Sequence, residues 1–138
     1  MKIGIIGSMH FSEKMLEAAE ELKKLGHEPL LSNFVNSFLG KDDGEKEKIK
    51  LSQKFEEDAM KRDWSTMKDS DALLVINLER HGIKNYIGGN TLFELAAGYF
   101  GGKKIFLYNP IPDISYYKTE LQAVRPVILN GDLSKINK

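Results

Sequence analysis

Glu94 stands between Phe93 and Leu95 in the stretch YIGGNTLFELAAGYFGGKKIFLY, Tyr86 to Tyr108. A carboxyl group among apolar neighbours is either solvated at a helix end or kept for chemistry. The helical pattern from about Thr91 to Phe100 puts Glu94 in a first turn, where the helix dipole favours its ionised form. A capping acid, with Asn90 or Thr91 as the cap, is the alternative role. Asp63 and Asp71 complete the informative acids. Asp71 immediately precedes an apolar strand and reads as a helix-end or loop residue, whereas Asp63 lies two helical turns earlier on a segment that leads into that strand.

The turn GSMHFS, Gly7 to Ser12, offers backbone N–H groups and two hydroxyls at a helix start, a setting that favours phosphate or another anion. A tight turn explains the same glycine. The turn has neither the G-x-G-x-x-G spacing of a dinucleotide site nor the Gly-Lys-Ser/Thr of a P-loop, so NAD and P-loop readings lose their main support. His10 lies in this turn, where contact with a ligand, proton transfer and a hydrogen bond to a neighbouring loop are all open to it. His10, His27 and His81 fall in separate segments without ligand spacing, and the expectation is no metal.

These residues need elements to hold them. Lys2 to Ile6 is a continuous apolar run of the kind found in a central parallel strand. Ser12 reads as the N-cap of a helix whose apolar positions, Met15, Leu16, Ala19, Leu22 and Leu25, recur up to Gly26. A short strand at Glu28 to Leu31 follows. KDDGEKEKIK, Lys41 to Lys50, is a mixed-charge stretch that suits a solvated loop or the exposed start of a helix, and a helical pattern runs from about Glu45 to Lys68, with Ile49, Phe55, Ala59, Trp64 and Met67 on its buried side. DALLVIN, Asp71 to Asn77, is the clearest core strand; KKIFLY and PVIL supply two more.

Alternating strands and helices predict an α/β fold: one domain over residues 1–138, doubly wound around a five-stranded parallel sheet in the flavodoxin-like, Rossmann-like order. Ligands in such sheets sit beyond the carboxyl ends of the strands. That places the candidate binding residues after the first strand, at Gly7, Ser8 and His10, and after the third, at Asn77, Gly88, Gly89 and Asn90. Trp64 and Phe93 read as core or pocket wall, and Lys84 to Tyr86 as a loop able to gate the site.

Composition narrows the partners. Twenty basic and twenty acidic residues leave no overall field for a nucleic acid polymer or an anionic membrane. With no cysteine, disulfides, thiolate zinc sites and a cysteine nucleophile are excluded, and the composition suits a reducing cytoplasm. The opening apolar run is too short for a membrane span and lacks a signal-peptide cleavage pattern.

Three motifs in order, the opening IGIIGSMHF, DWSTMKDSDALLVIN and GGNTLFELAAGYFGGKKIFLY, resemble the nucleoside 2-deoxyribosyltransferase superfamily, whose branches include deoxynucleoside 5′-monophosphate N-glycosidases. The similarity runs from about Lys2 to Tyr108. It implies that Glu94 is the nucleophile, that Asp63 orients it or handles the proton of the leaving base, and that Gly7 and Ser8 border the sugar and any 5′-phosphate. It also implies a pocket built across a homodimer interface, a nucleoside or nucleotide substrate, and no cofactor. The residue types suit that chemistry. Breaking an N-glycosidic bond develops positive charge at the anomeric carbon, which a carboxylate stabilises or captures, while the departing base takes a proton from a second acid. Leu92 and Ala96 stand where the family commonly has small residues, Asn90 where it commonly has glycine, and the added bulk predicts an altered substrate choice. GGNTLFE also resembles a segment of the lysine-decarboxylase-like phosphoribohydrolases, an alternative that cleaves the same type of bond. A nucleotide-binding sensor without turnover is the alternative of a different class.

Overall fold

A computed structural model of the chain describes residues 1–56 and 58–136. Five strands, β1 (Lys2–Gly7), β2 (Glu28–Leu30), β3 (Ala72–Ile76), β4 (Lys104–Leu107) and β5 (Val127–Ile128), pair in parallel in the order β2-β1-β3-β4-β5. Five helices connect or flank them: α1 (Ser12–Lys24), α2 (Asp43–Glu56), α3 (Ala59–Met67), α4 (Gly89–Phe100) and α5 (Lys118–Val124). This is the doubly wound, flavodoxin-like order, and its strand order reverses between β1 and β3.

The sheet is buried on both faces because its strands are apolar at consecutive positions. Ile3, Ile5, Leu74 and Ile76 pack with Met15 and Leu22 of α1, while Ile6, Leu73, Val75 and Leu107 pack with Met67 of α3, Leu95 of α4 and Leu121 of α5. The period-2 pleat of each strand feeds one residue to each layer in turn. Gly98 lets α4 approach β3: a Cβ there would lie 2.3 Å from Cδ1 of Leu73. Gly7 does the same at the end of β1, where a Cβ would meet the carbonyl oxygen of Ile76 at 2.7 Å. At both positions glycine keeps two elements in contact.

Four local expectations are corrected. Ser12 is the first residue of α1 and not its cap; its hydroxyl donates back to the Met9 carbonyl at 2.5 Å, and Phe11 occupies the cap position. Ser8 instead accepts the His10 N–H and opens a short 3-10 turn, Met9–Phe11. The helix expected from Glu45 to Lys68 is two helices, since Asp58 takes a left-handed conformation with φ of 51° between α2 and α3. The charged stretch does begin a helix. Asp42 and Glu45 form a reciprocal cap, the Glu45 N–H donating to Asp42 Oδ1 at 2.8 Å and the Asp42 N–H to Glu45 Oε1 at 3.2 Å. Phe55, expected on the buried side, is exposed. Finally, α4 starts at Gly89 with Gly88 as its cap, so Glu94 lies in the second turn and caps nothing.

Among the described residues, no helix is long and apolar enough to cross a membrane.

Candidate active site

The reversal of strand order opens a crevice between the ends of β1 and β3, and α4 points its N-terminus into it. Helical periodicity sorts the side chains of α4 into three stripes. Thr91, Leu95 and Gly98 are buried. Asn90, Glu94 and Ala97 turn toward α3, and Leu92 and Ala96 turn toward α5. From α3, Asp63 meets the second stripe. Glu94 and Asp63 thus line one hollow of about 130 Å³, together with Gly7, Ser8, Gly88, Gly89 and Asn90.

The same two acids and Asn90 also line a second, more apolar groove of about 440 Å³, walled by Met60, Trp64, Phe93 and Ala97. The acids therefore form the partition between a polar chamber and an apolar one. A flat apolar group suits the second, and a polar, hydroxyl-bearing one suits the first.

Burial, and then the charge of Asp63, push the Glu94 carboxyl up to about 8, so at neutral pH it holds its proton. Asp63 is also raised by burial, against the opposing pull of a Ser32 hydroxyl, whose Oγ donates to Asp63 Oδ1 at 2.5 Å, and of the Arg62 guanidinium. Two neighbouring carboxyl groups pushed upward in this way resist being charged together.

Residues that the sequence did not mark as binding complete the polar chamber: Lys50 and Lys54 from α2, Arg80, and Thr91 at the start of α4. Tyr86, whose loop was expected to gate the site, also lines it. Arg80 is delivered by a tight reversal at Arg80–Ile83, closed by two backbone hydrogen bonds of 3.1 and 2.9 Å, with His81 and Gly82 at φ of 56° and 71°. These are the left-handed conformations of a primed hairpin turn. The guanidinium pairs with Asp43 at 2.5 Å and with Glu47 at 3.4 Å, and Lys50 pairs with Glu47 at 3.1 Å. Lys50 and Lys54 share a face of α2 by their i,i+4 spacing. That face was unreadable beforehand, because the stretch is dense with lysines and the start of the helix was not known.

Two expected binding residues stand elsewhere. His10 is absent from the lining of both hollows; its Nε2 lies 3.0 Å from Glu47 and its Nδ1 2.9 Å from Asp43, and burial, partly offset by those carboxylates, lowers its pKa. It fixes the β1–α1 turn to α2. Asn77 is fully buried and stitches β3 to the segment after β4: its Nδ2 donates to the carbonyls of Asn109 and Pro110 at 3.0 and 3.1 Å, and its Oδ1 accepts the Asn109 N–H at 2.8 Å. Leu92 and Ala96 line a separate groove with Leu121 and Val124, so their bulk enters neither chamber beside Glu94. Among the described residues, no group of three or more histidines and carboxylates is arranged to hold a metal ion.

No family model, curated protein or solved structure matches the chain.

Proposed function

We propose that this protein cleaves the N-glycosidic bond of a (deoxy)nucleoside or nucleoside 5′-monophosphate, by hydrolysis or by transfer of the sugar to another base. The observation that carries this reading is the convergence of Glu94 and Asp63 on the wall between the two chambers. A sugar in the polar chamber and its base in the apolar groove put the bond between them beside both carboxyl groups. Glu94 then faces the anomeric carbon, and Asp63 passes a proton to the departing base.

Lys50, Lys54 and Arg80 favour the anionic member of the substrate pair, the 5′-monophosphate. The expected result is release of free base from a panel of nucleosides and monophosphates, followed by chromatography, with Lys54→Ala raising KM about tenfold for monophosphates and leaving neutral nucleosides unchanged. Binding without release from any member of the panel rejects the reading in favour of a sensor.

A homodimer accompanies this reading. Phe93, Tyr99 and Phe100 are exposed along α4, next to the apolar groove between α4 and α5. Phe93 also walls the apolar chamber, so a second copy docked on this face of α4 would cover the chamber's edge. Sedimentation velocity is expected to give twice the chain mass for the wild type and the single-chain mass for Phe100→Glu.

A further inference from the structure

Ser32 lies two residues past the carboxyl end of β2 and is almost completely buried, 5 % exposed. Its hydroxyl makes two contacts. The oxygen accepts the Phe34 N–H at 3.1 Å and lies 2.5 Å from Asp63 Oδ1. A serine hydroxyl has a single proton to donate. If Asp63 carried its own proton on Oδ1, it would donate to Ser32, and the hydroxyl proton of Ser32 would be left in a buried place with no acceptor among the described residues. An unsatisfied buried donor is costly, so the hydroxyl donates and Oδ1 accepts.

We propose that Ser32 is a positioning residue that keeps the single proton of the acid pair on Glu94 at rest and leaves Oδ2 as the oxygen of Asp63 that exchanges it. The inference rests on the reading of Glu94 and Asp63 as the reacting pair. A hydrogen bond donated to a carboxylate favours its charged form, and among the described residues Glu94 receives no hydrogen bond comparable to the one Ser32 gives Asp63. Most of the surrounding charges do not supply the same asymmetry. Lys50 and Lys54 of α2 and Arg80 line the polar chamber beside both acids, and Lys61 and Lys68 line the apolar groove beside both. Arg62 acts in the same direction as Ser32, but it is exposed and lies over the Phe34 ring, 4.9 Å from its centroid.

As the C–N bond breaks, its electron pair leaves with the base, and positive charge grows on the sugar beside Glu94. That charge favours ionised Glu94. The proton passes from Glu94 to Asp63 Oδ2 and on to the base nitrogen, while the Glu94 carboxylate meets the anomeric carbon. Attack by water, or by the N–H of a second base, then gives the product and returns a proton to Glu94.

The test follows the carboxyl carbons of residues 63 and 94 by 13C NMR across a pH titration, with base release measured in parallel. In Ser32→Ala the Glu94 midpoint is expected to fall from about 8, the Asp63 midpoint to rise, and base release to slow about tenfold; Ser32→Thr, which keeps the hydroxyl, restores all three. An unchanged Glu94 midpoint in Ser32→Ala overturns the role of Ser32. Ser32→Cys, which keeps the volume with a weak donor, takes its place if the alanine variant does not fold. The midpoints need no substrate, so a protein that releases no base refutes the proposed function alone, and unmoved midpoints with release intact refute the role of Ser32 alone.

Discussion

Glu94→Gln is expected to reduce base release by about three orders of magnitude while leaving the fold in place, the range seen when a group that acts on the reacting atoms is removed. Glutamine has nearly the shape of the protonated acid, so the sheet, α4 and both chambers are retained. It cannot become the carboxylate that meets the anomeric charge. The effect should therefore appear in kcat, with KM little changed. The pH profile carries the same information. A pair that works with one proton is active while Glu94 still holds it, so kcat/KM of the wild type should decline about tenfold per unit as pH rises beyond about 8. Full release by Glu94→Gln, or a flat profile from pH 7 to 10, excludes this carboxyl from the reaction.

The second large effect is on stability. The Glu94 pKa is raised on folding from 4.5 to about 8. Below pH 4.5 both folded and unfolded chains carry the proton, and the group does not affect the equilibrium. Between 4.5 and 8 the unfolded chain releases the proton and the folded chain keeps it, so stability falls as pH rises. Above about 8 the loss is complete, on the order of 5 kcal/mol. Burial raises Asp63 in the same direction, while His10, whose pKa is lowered, has the opposite sign: its contribution is lost as pH falls below 6.5. Urea unfolding of wild type and Glu94→Gln at pH 5, 7 and 9 isolates the Glu94 contribution. The variant should gain stability relative to the wild type by several kcal/mol between pH 5 and pH 9. Parallel pH dependence of the two proteins would mean that Glu94 titrates in the fold as it does in water. A buried acid that weakens the fold at neutral pH is what the proposed catalytic role of Glu94 entails.

The apolar runs of β1, β3 and β4 and the helical spacing of α1 are local patterns, and they specified the sheet and its partners before any contact was known. The boundaries were harder to read. Ser12 looked like a cap because serine often is one, but the 3-10 turn before it moved that role to Ser8 for the short turn and left Ser12 inside α1. The break at Asp58 rests on one left-handed residue, and aspartate is tolerant enough of that conformation to give no warning.

That Leu92 and Ala96 lie away from Glu94 is readable in the sequence, because residues two apart on a helix lie on nearly opposite sides. Their stripe faces α5. His10 and Asn77 were selected for their places after strands, and place after a strand does not fix direction. His10 turns outward to the carboxylates of α2, and Asn77 turns inward to hold the chain after β4.

From its sequence alone this protein determined an α/β layout, the ends of the strands where chemistry belongs, and the two acids offered for it, since all three follow from residue type and short-range periodicity. Tertiary structure decided which lysines share a chamber with the acids, that Ser32 hydrogen-bonds Asp63, and that burial raises the proton affinity of Glu94. Charge balance and proton affinity depend on distance and on excluded water, and neither exists until segments far apart in the chain have packed together.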